Sequence, residues 1–88
     1  MPPVLTLIGK ANCHLCHEMR HVVVRVLSDL ELALVERDVA EHPELARYRL
    51  EIPVLLLDGA ELARHRVSEA DLRQRLRAAG VRGGASPA

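Results

Sequence analysis

Aromatic side chains are almost missing from this chain: its 88 residues contain no Phe or Trp, and Tyr48 stands alone. A stacking platform for single-stranded nucleic acid needs several exposed rings, so that class is excluded. An excess of one charge is missing too. Twelve Lys and Arg balance twelve Asp and Glu, with Lys10 the only lysine, so no basic field points to nucleic acid or to an anionic membrane. No run approaches the roughly 20 apolar residues of a membrane span. The apolar stretch Val4 to Ile8 is too short for the core of a signal peptide, and no basic segment precedes it. The expected compartment is therefore the cytoplasm. Only two cysteines are present, Cys13 and Cys16. They cannot build a disulfide framework, and in the cytosol so close a pair is more often catalytic or metal-binding than a structural staple.

What is present is an apolar fraction of 49%, mostly Leu, Val and Ala, in a chain long enough for one domain with a modest core. Val4-Leu5-Thr6-Leu7-Ile8 reads as a strand stopped by Gly9. Leu15, Met19, Val22, Val23, Val26 and Leu30 then recur at helical spacing, and this periodicity outweighs the strand preference of Val22-Val23-Val24. Leu32, Leu34 and Val35 belong to a second strand ending near Asp38. His42-Pro43-Glu44 starts a short helix with Pro in its first turn. Val54 to Leu57 is continuously apolar, as for a strand covered on both faces, and Asp58-Gly59 predicts a hairpin into an edge strand over Ala60 to His65. Ser68 with Asp71 resembles a capping box, and Val67 and Leu72 stand where a hydrophobic staple would be. Leu72, Leu76 and Ala79 form the stripe expected to be buried, and Gly80 ends the helix. Residues 1–81 thus read as one domain, and 82–88, rich in Gly, Ser and Pro, as a flexible tail.

The order β-α-β-α-β-β-α combines a right-handed parallel βαβ unit with an antiparallel hairpin and a last helix. It predicts an α/β fold with a four-stranded mixed sheet, helices on both faces, and strand order second, first, third, fourth.

Cys13-His14-Leu15-Cys16 falls where the first strand gives way to the first helix. A free cysteine with a pKa of ~8.5 is only a few per cent ionised at neutral pH. At a helix N-terminus, free backbone N–H groups and the helix dipole favour the anion, so Cys13 is expected to be the more acidic thiol. Cys16, one turn further in, is expected to be more buried. Lys10 adds a positive charge three residues upstream, and His14 and His17 flank Cys16 as candidate tuning groups. Asp38 either lies under the site or simply ends its strand. This asymmetry suits a two-step exchange in which Cys13 attacks a disulfide and Cys16 resolves the mixed disulfide.

Two other chemistries share these residues. Cys13, Cys16, His17 and His21 could offer thiolate and imidazole ligands to a metal, but four ligands on one helix do not readily form a tetrahedron. Cys-x-x-Cys-His is also the haem c attachment pattern. That attachment needs export and a largely helical setting, and here strands flank the motif.

In this order, and at these separations, the chain resembles the thioredoxin fold in its minimal glutaredoxin form. It is similar to small glutaredoxin-like proteins that pair a Cys-His-Leu-Cys motif with Ile-Pro-Val-Leu. The residues that carry the likeness are Lys10 to Cys16, Asp38, Pro43-Glu44-Leu45, Ile52 to Leu55 and Asp58-Gly59. The resemblance implies a dithiol–disulfide oxidoreductase with Cys13 as attacking and Cys16 as resolving thiol. It implies that Pro53 is cis and faces the pair, leaving the Ile52 backbone free to bind an extended substrate. It also implies substrate contacts from Lys10 and from the start of the last helix, at Ser68 and Asp71.

The expected partner is a disulfide-containing protein or a small thiol. Glutathione is a candidate co-substrate, and no metal or other cofactor is required. The protein is expected to act as a monomer. Where glutaredoxins carry a Gly pair that holds glutathione, this chain has Val67-Ser68, which predicts a weaker hold on it. The alternative on the same fold is a metal or iron–sulfur cluster protein using Cys13 and Cys16 with His17 or glutathione.

Overall fold

The computed structural model describes residues 3–81. The tail expected over 82–88 lies outside the described residues. In chain order the elements are β1 (Val4–Gly9), α1 (His14–Leu27), β2 (Ala33–Asp38), a 3-10 helix (Pro43–Tyr48), β3 (Val54–Leu57), β4 (Ala60–Arg64) and α2 (Glu69–Ala78). The four strands form one sheet in the order β2-β1-β3-β4, as the sequence predicts. β1 runs parallel to β2, with Leu5 beside Leu34 and Gly9 beside Asp38. β3 runs antiparallel to both β1 and β4, with Ile8 beside Val54.

Strand alternation divides the core into two layers. Leu5, Leu7 and Leu55 point to the face where Met19, Val23 and Val26 of α1 meet Leu72 and Leu76 of α2. Val22-Val23-Val24 is helical because Val23 is completely buried in this layer. Ile8, Val54 and Leu56 point to the opposite face, where Val39, Leu45, Tyr48 and Ile52 cover them. Both α-helices therefore pack on one face, and the 3-10 helix with its flanking residues Val39 and Ile52 covers the other. The helix expected from Pro43 is a 3-10 segment of six residues with Pro43 in its first turn and no side-chain cap from His42. Short segments that bury no continuous stripe gain little from completing the α-helical ladder.

The turns follow from their residues. Asp58 (φ +49) and Gly59 (φ +90) both take positive φ, the conformation that matches a two-residue hairpin to the strand twist. Ser68 caps α2 by accepting a hydrogen bond from the Asp71 N–H (3.0 Å). Asp71 does not return the bond as a capping box requires; its carboxylate pairs with Arg75 at 2.9 Å. At the other end, Val81 N–H donates to the Leu76 carbonyl (2.9 Å) and Gly80 N–H to that of Arg77 (3.0 Å). This is a Schellman closure around Gly80, whose φ of +92 costs a glycine nothing. Ala79, expected in the buried stripe, is exposed, and Val81 closes the core in its place. The closure turns the chain back after the cap, so the residue beyond Gly80 reaches the core and the cap residue does not.

Candidate active site

The local sequence explains why Cys13 begins a helix. β1 ends at Gly9, and a turn at Ala11 and Asn12 follows, in which Asn12 takes φ +60. Asn tolerates this left-handed region better than most residues. The chain thereby turns out of the sheet, and Cys13, in an extended conformation, becomes the N-cap of α1. Its Sγ accepts a hydrogen bond from the Cys16 backbone N–H at 3.2 Å. A sulfur thus stands where Ser or Asp usually caps a helix, aimed at free backbone donors.

Cys13 and Cys16 are joined as a disulfide with their Cα atoms 5.2 Å apart. Their surroundings differ. Cys13 is half-buried, whereas Cys16 is 8% exposed and packs against Gly9.

Two clefts flank the first turns of α1. One, of about 260 Å³, is lined by Cys16, Gly9, Lys10, His17, Asp38 and Glu41 among others. Arg20 and Glu36 stand at its wall and are bonded to each other (Nε to Oε1, 3.0 Å), tying α1 to β2. Asp38 ends β2, and its carboxylate accepts the Ala40 N–H at 2.8 Å while lining this cleft. Asp38 thus ends its strand and also borders the cleft that reaches Cys16. The other cleft, of about 340 Å³, lies between Leu15, Glu18 and Val22 of α1 and the loop from His65 to Ser68, with Asp71 at its edge.

The residues expected at the site are thus distributed. Lys10 and His17 share the cleft that reaches Cys16. Ser68 and Asp71 line the opposite cleft, where the Ser68 hydroxyl is already engaged as a cap. His14 is exposed and pairs with Glu18 at 3.4 Å. The Ile52–Pro53 peptide is cis, as the resemblance implies. Because Val54 pairs with Ile8, Pro53 sits at the end of the sheet where β1 hands over to α1. Pro53 is fully buried, and its carbonyl accepts the His65 N–H at 2.7 Å. Ile52 is half-buried, and among the described residues its own N–H and C=O take part in no hydrogen bond.

Sequence reasoning missed Gly9, Glu41 and His65. Gly9 reads as a strand stop, although a glycine directly before a Cys-x-x-Cys turn is also a signal for close approach of backbone. His65 reads as part of an edge strand. Instead it takes φ +65, turns the chain, and brings its Nε2 within 3.3 Å of Glu51, the residue before Ile52.

Among the described residues, no group of three or more His, Cys, Asp and Glu side chains could hold a metal ion. Likewise, no described helix is long and apolar enough to cross a membrane.

A four-stranded mixed sheet in this order, with a Cys-x-x-Cys pair at the start of α1, defines a thioredoxin-like fold. The family described as Glutaredoxin-like domain (DUF836) matches residues 4–77, and the chain belongs to it. Among solved structures, protein Ne2328 from Nitrosomonas europaea is similar, with a TM-score of 0.71 and 23% identity over 84% of this chain and 91% of that one. Protein XcR50 from X. campestris gives a TM-score of 0.70 and 25% identity over 84% of this chain and 96% of that one. A mutant thioredoxin from Halobacterium salinarum gives 0.63 and 22%, covering 85% and 73%. These likenesses show the fold. Together with the cysteine pair, the family supports a redox function.

Proposed function

We propose that the protein is a dithiol–disulfide oxidoreductase in which Cys13 attacks and Cys16 resolves. The observation that carries this reading is the difference between the two sulfurs. Cys13 Sγ accepts a backbone N–H at the helix start, where negative charge is stabilised, while Cys16 is nearly buried behind it.

In the reductive direction, the Cys13 thiolate attacks a substrate disulfide. A Cys13–substrate disulfide forms and one substrate thiolate leaves. Cys16 then attacks the Cys13 sulfur, its proton passing to solvent. The Cys13–Cys16 disulfide forms, the second substrate thiolate leaves, and two electrons have moved from protein to substrate. Electrons pass between sulfurs throughout the exchange, and an external thiol or protein reductase returns the Cys13–Cys16 disulfide to the dithiol.

The N–H and C=O of Ile52, without a partner among the described residues, favour an extended substrate that pairs with them as an added strand, which suits a protein disulfide. Lys10, Ser68 and Asp71 are proposed as further substrate contacts. A single copy carries the whole site, and a reducing compartment such as the cytoplasm would keep the pair cycling.

Trapping tests the reading. Reduced Cys16→Ser protein, treated with a disulfide-containing peptide, should accumulate a mixed disulfide at Cys13 that mass spectrometry detects. Cys13→Ser should accumulate none. Mixed disulfide on neither variant, or turnover surviving in Cys13→Ser, overturns the proposal.

A further inference from the structure

Gly9 is held from two sides. It is the last residue of β1, paired in register with Asp38, and its carbonyl accepts the Val39 N–H at 2.9 Å. It is also buried. Its φ is not positive, unlike those of Gly59 and Gly80, so backbone conformation does not require glycine here. Space does. A Cβ at this position would lie 2.9 Å from Cys16 Sγ and 3.1 Å from Cys16 Cβ, where carbon and sulfur settle nearer ~4 Å. Neither backbone can retreat, because Gly9 is fixed in the sheet and Cys16 by the first turn of α1.

We infer that Gly9 is the positioning residue for the resolving thiol: its bare Cα forms the seat that directs Cys16 Sγ toward Cys13. The inference rests on the proposed exchange reaction and extends it to a residue that touches no substrate. With a methyl group at position 9, the Cys16 Cβ stays attached to the helix, and the easiest relief is rotation about the Cα–Cβ bond. That rotation carries the sulfur away from the line of attack. The consequence falls on the second step alone, since Cys13 does not touch Gly9's open side.

The test follows the two steps separately. Reduced protein is mixed with an aromatic disulfide whose thiolate absorbs visible light. Attack by the Cys13 thiolate breaks the probe's S–S bond and releases the first aromatic thiolate. Attack by Cys16 on the Cys13 sulfur, with loss of the Cys16 proton to solvent, releases the second and closes the Cys13–Cys16 disulfide. In Gly9→Ala the first release should keep its rate within about twofold, and the second should slow by on the order of ten- to a hundredfold, as expected for a reacting atom misplaced by up to ~1 Å. A second release at the wild-type rate in folded Gly9→Ala overturns the inference. Failure of the wild-type protein to give any second release overturns the exchange reading itself, and the inference with it.

Thermal unfolding covers the case in which Gly9→Ala folds poorly. The drop in midpoint caused by Gly9→Ala should be clearly smaller in a Cys16→Ala background, which removes the closer of the two contacting atoms. Equal drops in both backgrounds would place the need for glycine elsewhere in the strand and overturn the inference.

Discussion

Cys13 holds two roles through one atom. As N-cap it accepts the Cys16 N–H, and as a thiolate it is the proposed nucleophile. The roles separate by substitution. A Ser hydroxyl at this position can still accept from the helix start, whereas Ala leaves that donor without a side-chain partner. In reduced protein, Cys13→Ala should therefore cost about 1 kcal/mol of stability and Cys13→Ser markedly less, while both abolish exchange. Denaturant unfolding under reducing conditions measures this, and equal stabilities for the two variants would show that the Sγ contact does not cap α1. At this scale the sequence was informative where residue type and position combine, as in Cys13 before a helical pattern. It was silent where a contact crosses between elements. Nothing in Gly9 or Cys16 as letters shows that one seats the other, because the turn that brings them together depends on Asn12 adopting positive φ.

The elements were legible where periodicity was long. α1, the strands and the hairpin at Asp58-Gly59 follow from apolar spacing and turn chemistry. The segment Pro43–Tyr48 was less so, because six residues carry too little pattern to distinguish a 3-10 from an α-helix. Ion pairs between elements were not legible at all. Arg73 of α2 reaches Asp29, in the loop after α1, at 3.0 Å, and ties the two helices together. The hydrogen bond from Arg73 holds the Asp29 carboxyl below its ordinary value of 3.8, and a similar bond from Arg64 holds Glu61 below its ordinary 4.5. An acid with a lowered pKa contributes stability that is fully present above its ordinary value and lost as pH falls through the folded one. The affected window therefore opens near pH 4.5 for Glu61 and 3.8 for Asp29 and extends downward. Both groups are exposed, so the effects are small. Asp29→Asn should sit slightly below wild type in thermal midpoint at neutral pH and converge with it as the solution is acidified below that window. Curves that stay parallel into acid would show that the Asp29–Arg73 pair contributes no net stability.

Across the whole molecule, the fold puts the two ends of the proposed substrate track on opposite sides of α1. Lys10 shares one cleft with Cys16, while Ser68 and Asp71 line the other and are already engaged with α2. A small tripeptide must bridge these points to be held firmly. Val67-Ser68 also puts side chains where close backbone approach would need glycine. Losing one charge-assisted hydrogen bond costs roughly 1.5–3 kcal/mol, or about ten- to a hundredfold in affinity. Glutathione-dependent reduction of mixed disulfides should accordingly be slow, and turnover with a thioredoxin-reductase system faster under matched conditions. Fast, saturable turnover at low glutathione concentration would show that the Gly pair is dispensable.

In the proposed exchange, one sulfur is made reactive by its place at the helix start while the other is kept behind it. The most direct measurement is the alkylation rate of each cysteine in the reduced protein near neutral pH, mapped by mass spectrometry of the peptides. Cys13 should be modified at least about tenfold faster than Cys16, because it combines access with stabilisation of the thiolate. Equal rates, or faster modification of Cys16, would contradict the assignment of attacking and resolving roles.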